Sequence, residues 1–328
     1  MNYKLKKISG DASFREFYRL KKNNKTSIII FAKKEKYKNL IVYSVVNNIL
    51  NSNKISAPKL ISNHYKNNMI EISDLGDKSF YDFIISKKNK MNDYKSLIKL
   101  IFKLQKIKLK KNYTLGKIKV KFLKHSLDKL HKESNLFFDW YLRYSLKKKI
   151  INNIKKLLRT ELNKVYKKLN FKNDTFVHRD FHVSNIMLVK KKLGVIDSQD
   201  AIIGNPLYDV ASLIDDVRIK LPKDLQNNLF KFYYKNSKYK KEGIEKLKND
   251  FDILSVQRNL KILGIFVRLY KRDNKANYLK FLPYTWSLIE RRMKNPIFNK
   301  LNILFRKHLP LKKLKKLQRI WKLNKAWF

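Results

Sequence analysis

Residues 177–200 constrain this chain more than any other stretch. They read Val-His-Arg-Asp-Phe-His-Val-Ser-Asn-Ile-Met-Leu-Val-Lys-Lys-Lys-Leu-Gly-Val-Ile-Asp-Ser-Gln-Asp. Two short apolar runs, Ile186–Val189 and Leu193–Ile196, are split by three lysines. Apolar runs of this length around a polar turn predict a tight β-hairpin. A hairpin carries the chain back on itself, so Asp197 returns to the end of the strand pair where Asn185 stands. Asp180 lies in the loop just before. Two carboxylates and an amide, all oxygen donors, are thereby brought to one point, a set that suits proton abstraction and a hard cation such as Mg²⁺.

The spacing gives the chemistry a name. His178-Arg179-Asp180, followed after four residues by Asn185, is the kinase catalytic-loop pattern. It predicts that Asp180 orients a substrate hydroxyl and accepts its proton. Asn185 and Asp197 would hold Mg²⁺ bridging the β- and γ-phosphates of ATP. No G-x-x-x-x-G-K-[ST] occurs, so a P-loop is excluded.

The chain has 328 residues, 44% hydrophobic, enough for one large domain or two lobes. It lacks cysteine, which excludes disulfides and cysteine zinc sites and allows a reducing cytoplasm. Residues 1–7 carry no apolar leader segment, and no run reaches the ~18–20 apolar residues of a membrane span. The formal net charge is +51, from 77 Lys+Arg against 26 Asp+Glu. Cations gathered on one face would point to nucleic acid or an anionic membrane. Here lysine is spread through every segment, alongside abundant Asn and Ile, all three favoured by A+T-rich codons. Specific nucleic-acid binding is not expected, although the field attracts anionic nucleotides and sugar acids.

In chain order, Phe17–Leu20 and Ser27–Phe31 read as strands joined by a Lys/Asn turn. Residues 36–51 have a helical apolar period. Lys59–Ser62 and Met69–Ile72 read as two further strands, with Met69–Ser73, including Glu71 and Ile72, as the hinge whose backbone meets adenine. From about 79 to 170 the pattern is helical, with segments at 120–132, 136–147 and 150–169. Pro206 begins another helix, on which Asp209, Asp215, Asp216 and Arg218 are placed. Further helices are expected at 222–236 and 244–271, and residues 297–328 are basic and amphipathic. That last segment is expected to pack on the large lobe; contact with a membrane surface is the less favoured reading.

Several stretches carry a resemblance. His182 stands two residues after Asp180, where protein kinases usually place Lys; this is similar to the aminoglycoside phosphotransferase and choline kinase superfamily. Gly10-Asp11-Ala12-Ser13-Phe14-Arg15, Asp74-Leu75-Gly76-Asp77, Phe138-Asp139-Trp140-Tyr141, Gln199-Asp200-Ala201, Tyr208-Asp209, Gln257-Arg258-Asn259-Leu260-Lys261 and Gly264-Ile265-Phe266-x-Arg268-Leu269 narrow it. Together they resemble the bacterial kinases that phosphorylate N-acetylmuramate and N-acetylglucosamine at the anomeric hydroxyl, over about residues 9 to 290.

The resemblance implies an α+β, bilobal, protein-kinase-like fold: a small antiparallel β-lobe at 1–73 and a mostly helical lobe at 74–328. It implies a monomeric, cytoplasmic enzyme using ATP and Mg²⁺ on a small amino sugar. Ser13 would lie in the loop over the phosphates, and Arg15 and Arg19 would contact them, since the third strand lacks the usual lysine. His182 would stabilise the transferring phosphoryl group. Gln199, Asp200, Asp216, Arg258 and Arg268 would serve the acceptor, and His178 and Asp209 would brace the catalytic loop. Two departures stand out: Ser198 replaces the aromatic of the family's Asp-Phe-Gln-Asp, and Glu16 follows Arg15 where a second Arg is common. A kinase with another acceptor (aminoglycoside, choline or another sugar) and a catalytically weak ATP-binding protein are the alternatives.

Overall fold

The computed structural model describes residues 3–8, 15–23, 25–32, 38–110, 112–115, 118–146, 148–190 and 192–309. The chain forms two compact units. The first comprises Met1–Lys124 with Asp174–Gly204, the second His125–Asn173 with Asn205–Phe328.

The first unit is built on an antiparallel sheet of strands β1 (Tyr3–Ile8), β2 (Arg15–Lys22), β3 (Lys25–Ala32), β4 (Leu60–His64) and β5 (Met69–Ser73). Their order is β1-β2-β3-β5-β4. Helix α1 (Lys38–Ser52) supplies Leu40 and Tyr43 to a core with Ile30, Ala32, Ile70 and Ile72. Tyr43 and Asn47 are one helical turn apart, so they share a face. Strand β1 has only Leu5 and Ile8 as aliphatic residues, and Leu5 is exposed, which is why its sequence gave no apolar signal.

After the sheet come α2 (Phe80–Ile84), capped by the Ser79 hydroxyl, and α3 (Met91–Gln105). The apolar stripe Leu97, Leu100, Ile101, Leu104 and Ile107 is buried. Residues 112–115 and 118–121 are not helical but pair as antiparallel strands, β6 (Asn112–Leu115) and β7 (Ile118–Lys121). The alternation Ile118-Lys119-Val120-Lys121 has period two and overrides the helical reading. The unit closes with β8 (Thr175–Val177), the hairpin β9 (Ile186–Val189) and β10 (Lys192–Val195), and β11 (Ile202–Gly204), which pairs with β8.

The second unit is helical: α4 (Leu127–Leu136), a π-helical turn (Phe137–Leu142), α5 (Arg143–Ser145), α6 (Lys148–Tyr166), α7 (Leu207–Ile214), α8 (Lys223–Asn236), α9 (Ile244–Asp273), α10 (Leu282–Arg292) and α11 (Asn299–His308). Helix α9 runs through its middle. A Cβ on Gly264 would lie 2.2 Å from the Leu136 carbonyl group, so α9 can approach the π-helical turn only with glycine there. Phe137, Phe138 and Tyr141 are core residues, and the Trp286 indole donates to the Tyr141 hydroxyl at 2.6 Å. Trp140 instead lines a shallow surface depression with Tyr144 and Lys271. Helix α7 ends at Ile214, short of the expected Asp216, because the Asp216 carboxylate accepts the Arg218 amide at 3.0 Å and turns the chain. The basic stretch after Leu309 lies outside the described residues.

Candidate active site

The turn that carries Asp180, Asn185 and Asp197 is assembled within the first unit, between β8 and β11. Its backbone is held at several points. The His182 amide donates to the Asp180 carbonyl at 3.0 Å, and the Asn185 amide donates to the His182 carbonyl at 2.9 Å. The Ile196 amide donates to the Asn185 carbonyl at 3.0 Å, which ties the strand before Asp197 to the loop. His178 is fully buried and bonds through Nε2 to the Ile196 carbonyl at 3.0 Å. Arg179 and Asp197 both adopt left-handed backbone, at φ 75° and 61°. Residues with a Cβ avoid that region, and such strain is kept where the surroundings over-determine it.

The side chains of this turn are organised around oxygen. Asn185 Nδ2 donates to the Asp180 carbonyl at 3.0 Å and also meets His182 Nε2 at 3.3 Å, leaving the amide oxygen as the end able to accept a cation. Gln199 Nε2 donates to Asp197 Oδ1 at 2.8 Å. Burial pushes the Asp197 carboxyl up, and the like charge of Asp180 adds to that, while Gln199, His178 and Arg15 pull the other way. Two carboxylates that raise each other's cost of ionisation, beside a free amide oxygen, form a donor set that a hard divalent cation relieves.

Helix α1 packs against the Ser198–Asp200 turn. Ser198 Oγ donates to Asn47 Oδ1 at 2.7 Å, and neither residue is more than 1% exposed. The Tyr43 hydroxyl, pushed up to about 12 by burial, lies against the Asp197 backbone. Sequence reasoning missed Asn47 and Tyr43. The available signal was a polar residue in the buried face of an otherwise apolar helix.

The remaining expected residues are placed as follows. Arg15 is buried on β2 opposite Ala32, close enough to Asp197 to lower its carboxyl. Arg19 is taken up by acids instead: its Nε lies 2.6 Å from Asp74, and it also bonds Asp77. Glu71 accepts the Ser27 hydroxyl at 2.6 Å. Glu71 and Ile72 pair with β3 on one side and β4 on the other, so their main-chain groups are spent in the sheet. Ser13 and its loop lie outside the described residues. Asp200 is exposed and accepts from Arg179 at 3.3 Å. Among the described residues no group of three or more His, Cys, Asp or Glu forms a metal cluster.

In the second unit, Asp209 is buried in the first turn of α7. Asp216 is buried and bonded to Arg218. Arg258 on α9 is 4% exposed, and its Nε and Nη1 have no hydrogen-bond partner among the described residues. Its neighbour Lys261 differs, lying 3.9 Å from Glu133. Arg268 is half-buried, and burial together with Arg272 lowers its pKa.

Residues 4–241 match the family model described as "APH: Phosphotransferase enzyme family". The chain belongs to the phosphotransferase enzyme family. Curated relatives include the N-acetylmuramate/N-acetylglucosamine kinase of Neisseria meningitidis serogroup B, 24% identical across 86% of this chain and 84% of the relative. The protein of that name from Pseudomonas aeruginosa is 26% identical across 87% and 83%. Among solved structures, Plasmodium vivax ethanolamine kinase superposes with a TM-score of 0.63 at 14% identity, covering 91% of this chain and 84% of that one. An ADP-bound aminoglycoside phosphotransferase gives 0.59 at 15% identity, covering 88% and 94%. These likenesses establish the kinase-like fold, with its antiparallel N-terminal sheet and helical C-terminal part, and the enzyme class, an ATP-dependent phosphotransferase. Among the described residues no helix is long and apolar enough to cross a membrane.

Proposed function

We propose that this enzyme transfers the γ-phosphoryl group of ATP to the anomeric C1 hydroxyl of an amino sugar, N-acetylmuramate or N-acetylglucosamine. The observation that supports the reading most is the convergence of Asp180, Asn185 and Asp197 on one braced turn, in a chain whose curated relatives carry that kinase name.

Asp180 orients the acceptor hydroxyl and takes its proton as the oxygen attacks phosphorus. The new O–P bond forms as the bond to the β–γ bridging oxygen breaks, and ADP leaves with that electron pair. An anomeric hydroxyl is more acidic than an ordinary alcohol, so positioning and charge neutralisation carry most of the rate. Asn185 Oδ1 and Asp197 are the groups that would hold Mg²⁺, and the repulsion between Asp180 and Asp197 is the feature that fits them to it. When bound, Mg²⁺ supplies charge neutralisation on the β- and γ-phosphates. Buried Arg15, beside Asp197, is assigned to the phosphates in place of the missing strand lysine. Arg19, engaged by Asp74 and Asp77, is not. His182, whose ring braces Asn185, is assigned to the phosphoryl group through that residue.

On the acceptor side, Arg258 is assigned to a carboxylate, because a buried guanidinium with two unused donors fits one. N-acetylmuramate has a lactyl carboxylate and N-acetylglucosamine has none. The division into a nucleotide lobe at 1–73 and a larger lobe at 74–328, a single-chain enzyme and a cytoplasmic site of action belong to the same reading.

Phosphorus NMR of a reaction with ATP, Mg²⁺ and each sugar tests it. A sugar 1-phosphate resonance is expected. Absence of product with both sugars, from protein that binds ATP, overturns the acceptor and calls for a panel of aminoglycosides, choline and other sugars. Arg258→Met should raise KM for N-acetylmuramate at least tenfold and leave that for N-acetylglucosamine nearly unchanged. Equal effects on the two sugars would remove Arg258 from the acceptor.

A further inference from the structure

Protein kinases join the third strand to the first helix of the small lobe by a Lys–Glu ion pair, which must be in place for activity. Among the described residues of β3 and α1, neither partner is found at such a position. Helix α1 contains no acidic residue, and the only lysine of β3 is its first residue, Lys25. What joins α1 to the Asp180–Asp197 turn is instead uncharged: the Tyr43 hydroxyl against the Asp197 backbone, and the 2.7 Å hydrogen bond from Ser198 to Asn47, between residues 151 positions apart.

We propose that Asn47, through Ser198, is the positioning residue that holds Asp197 in its metal-binding conformation. The proposal rests on the metal-holding role of Asp197 given above. Asp197 has φ 61° and ψ 41°, a left-handed conformation that a residue with a Cβ does not keep by its own preference. Its neighbours on the N-terminal side are anchored by Asn185 and His178 through Ile196. On the C-terminal side, the Ala201 amide closes the short turn on the Ser198 carbonyl at 3.1 Å. Among the described residues, the one side-chain hydrogen bond that Ser198 makes is to Asn47. Ser198 is 0% exposed, so water cannot replace that partner. A buried hydroxyl robbed of its acceptor loses more than the bond, since its desolvation is left uncompensated. Loss of Asn47 should therefore release the turn and let Asp197 relax toward ordinary backbone.

The neutral tie also has a consequence for Arg15. In an ion-paired arrangement the cation of this region is shared with a helix glutamate. Here α1 offers no acid, and the buried guanidinium lies close enough to Asp197 to lower its carboxyl.

The test uses the full chain and four variants: Asn47→Ala, Ser198→Ala, the double variant, and Asp197→Asn as a reference. Mn²⁺ binding is measured by calorimetry in the presence of a saturating non-hydrolysable ATP analogue, and amide hydrogen exchange is followed across residues 195–201 without metal. Asn47→Ala and Ser198→Ala should each weaken Mn²⁺ about tenfold and speed exchange of that segment about tenfold. The double variant should be no worse than either alone, because the two act through one bond. Ser198→Thr, which keeps the hydroxyl, should retain most of the affinity. If Asn47→Ala does not fold, Ser198→Ala, which removes a single oxygen, carries the same comparison. Unchanged Mn²⁺ affinity in Ser198→Ala, with Asp197→Asn defective, overturns this inference and leaves the site intact. Unchanged affinity in Asp197→Asn overturns the site itself, and this inference with it.

Discussion

The Asp180–Asp197 turn and the Arg292 cluster of the second unit handle buried polarity in opposite ways. Around the turn, the link to α1 is a neutral Ser–Asn bond, and the charged groups, Asp180 and Asp197, repel each other. Around Arg292 the buried charges are matched. Arg292 makes a two-pronged bond to Asp215, with both distances 2.8 Å, and lies 3.7 Å from Asp252. Gln226 and Ser255 complete Asp215, while Lys248 and Asn295 complete Asp252. Asp215 and Asp252 are each 1% exposed. A compensated network has no need of a ligand, whereas a turn with surplus negative charge has room for one. The contrast separates a scaffold from a site on physical grounds, independently of any likeness to known proteins.

The largest effect is expected at the turn, and in activity rather than stability. Asp180→Asn should lower kcat by roughly 10³-fold or more, within the range general-base removal gives. Thermal melting without metal should show no loss and a small gain, because one of two like charges is gone. A variant that keeps its turnover would erase the distinction between the two regions.

Arg292→Met tests the other side of the comparison. It leaves Asp215 and Asp252 buried without their guanidinium, which should cost about 3–5 kcal/mol of unfolding free energy. The pH dependence has a definite sign. Burial already holds the Asp252 carboxyl above its ordinary range, against the opposing pull of Arg292. A carboxyl raised in the folded state binds its proton more tightly there than in the unfolded chain. Stability is therefore full below the unfolded value of about 3.9 and falls as pH rises through the folded one. Removing Arg292 raises that folded value further, so the deficit measured by urea unfolding should be larger at neutral pH than at about pH 4.5. A deficit that does not change with pH would mean that lost packing on Phe251, over which Arg292 lies at 4.6 Å, dominates.

Gly264→Ala should destabilise by roughly 1–3 kcal/mol, the usual cost of overpacking, with more if the Leu136 backbone cannot shift. Its KM for ATP should stay near the wild-type value, since the clash lies within the second unit.

The smallest effect is expected at Asp74. Burial would raise its carboxyl, but bonds from Arg19 and the Gly76 amide outweigh that, and the net shift is downward. A depressed folded value contributes stability above the unfolded pKa and loses it as pH falls through the folded one. Asp74→Asn should thus lose about 1 kcal/mol or less at neutral pH, and the loss should shrink as pH falls below the ordinary carboxylate range, by thermal melting at neutral and acid pH.

Much of the site was legible because it is local. Asp180, Asn185 and Asp197 lie on a loop and a hairpin whose apolar runs and lysine turn can be read residue by residue, and β9 and β10 fall within a residue of the expected strands. Helices α8 and α9 were likewise visible as apolar periods. The strand pair β6 and β7 was not, because its few apolar residues alternate among lysines and a long helical context surrounds them. Arg19 looked like a phosphate ligand because a cation's partner cannot be read from its neighbours in sequence. Its acids, Asp74 and Asp77, come from the chain after β5, two strands across the sheet from β2 and more than fifty residues on.

The chain's own order of residues thus determined the catalytic turn, its hairpin and the amphipathic helices, since backbone preference and apolar period act over a few residues. Tertiary structure decided which polar groups meet. It paired β5 on both edges and so spent the main chain of Glu71 and Ile72, gave Arg19 to Asp74, brought Asn47 to Ser198, and pressed α9 against a backbone that admits only glycine. Each of these is a contact between segments distant in sequence, where packing selects the partner and burial makes its loss costly.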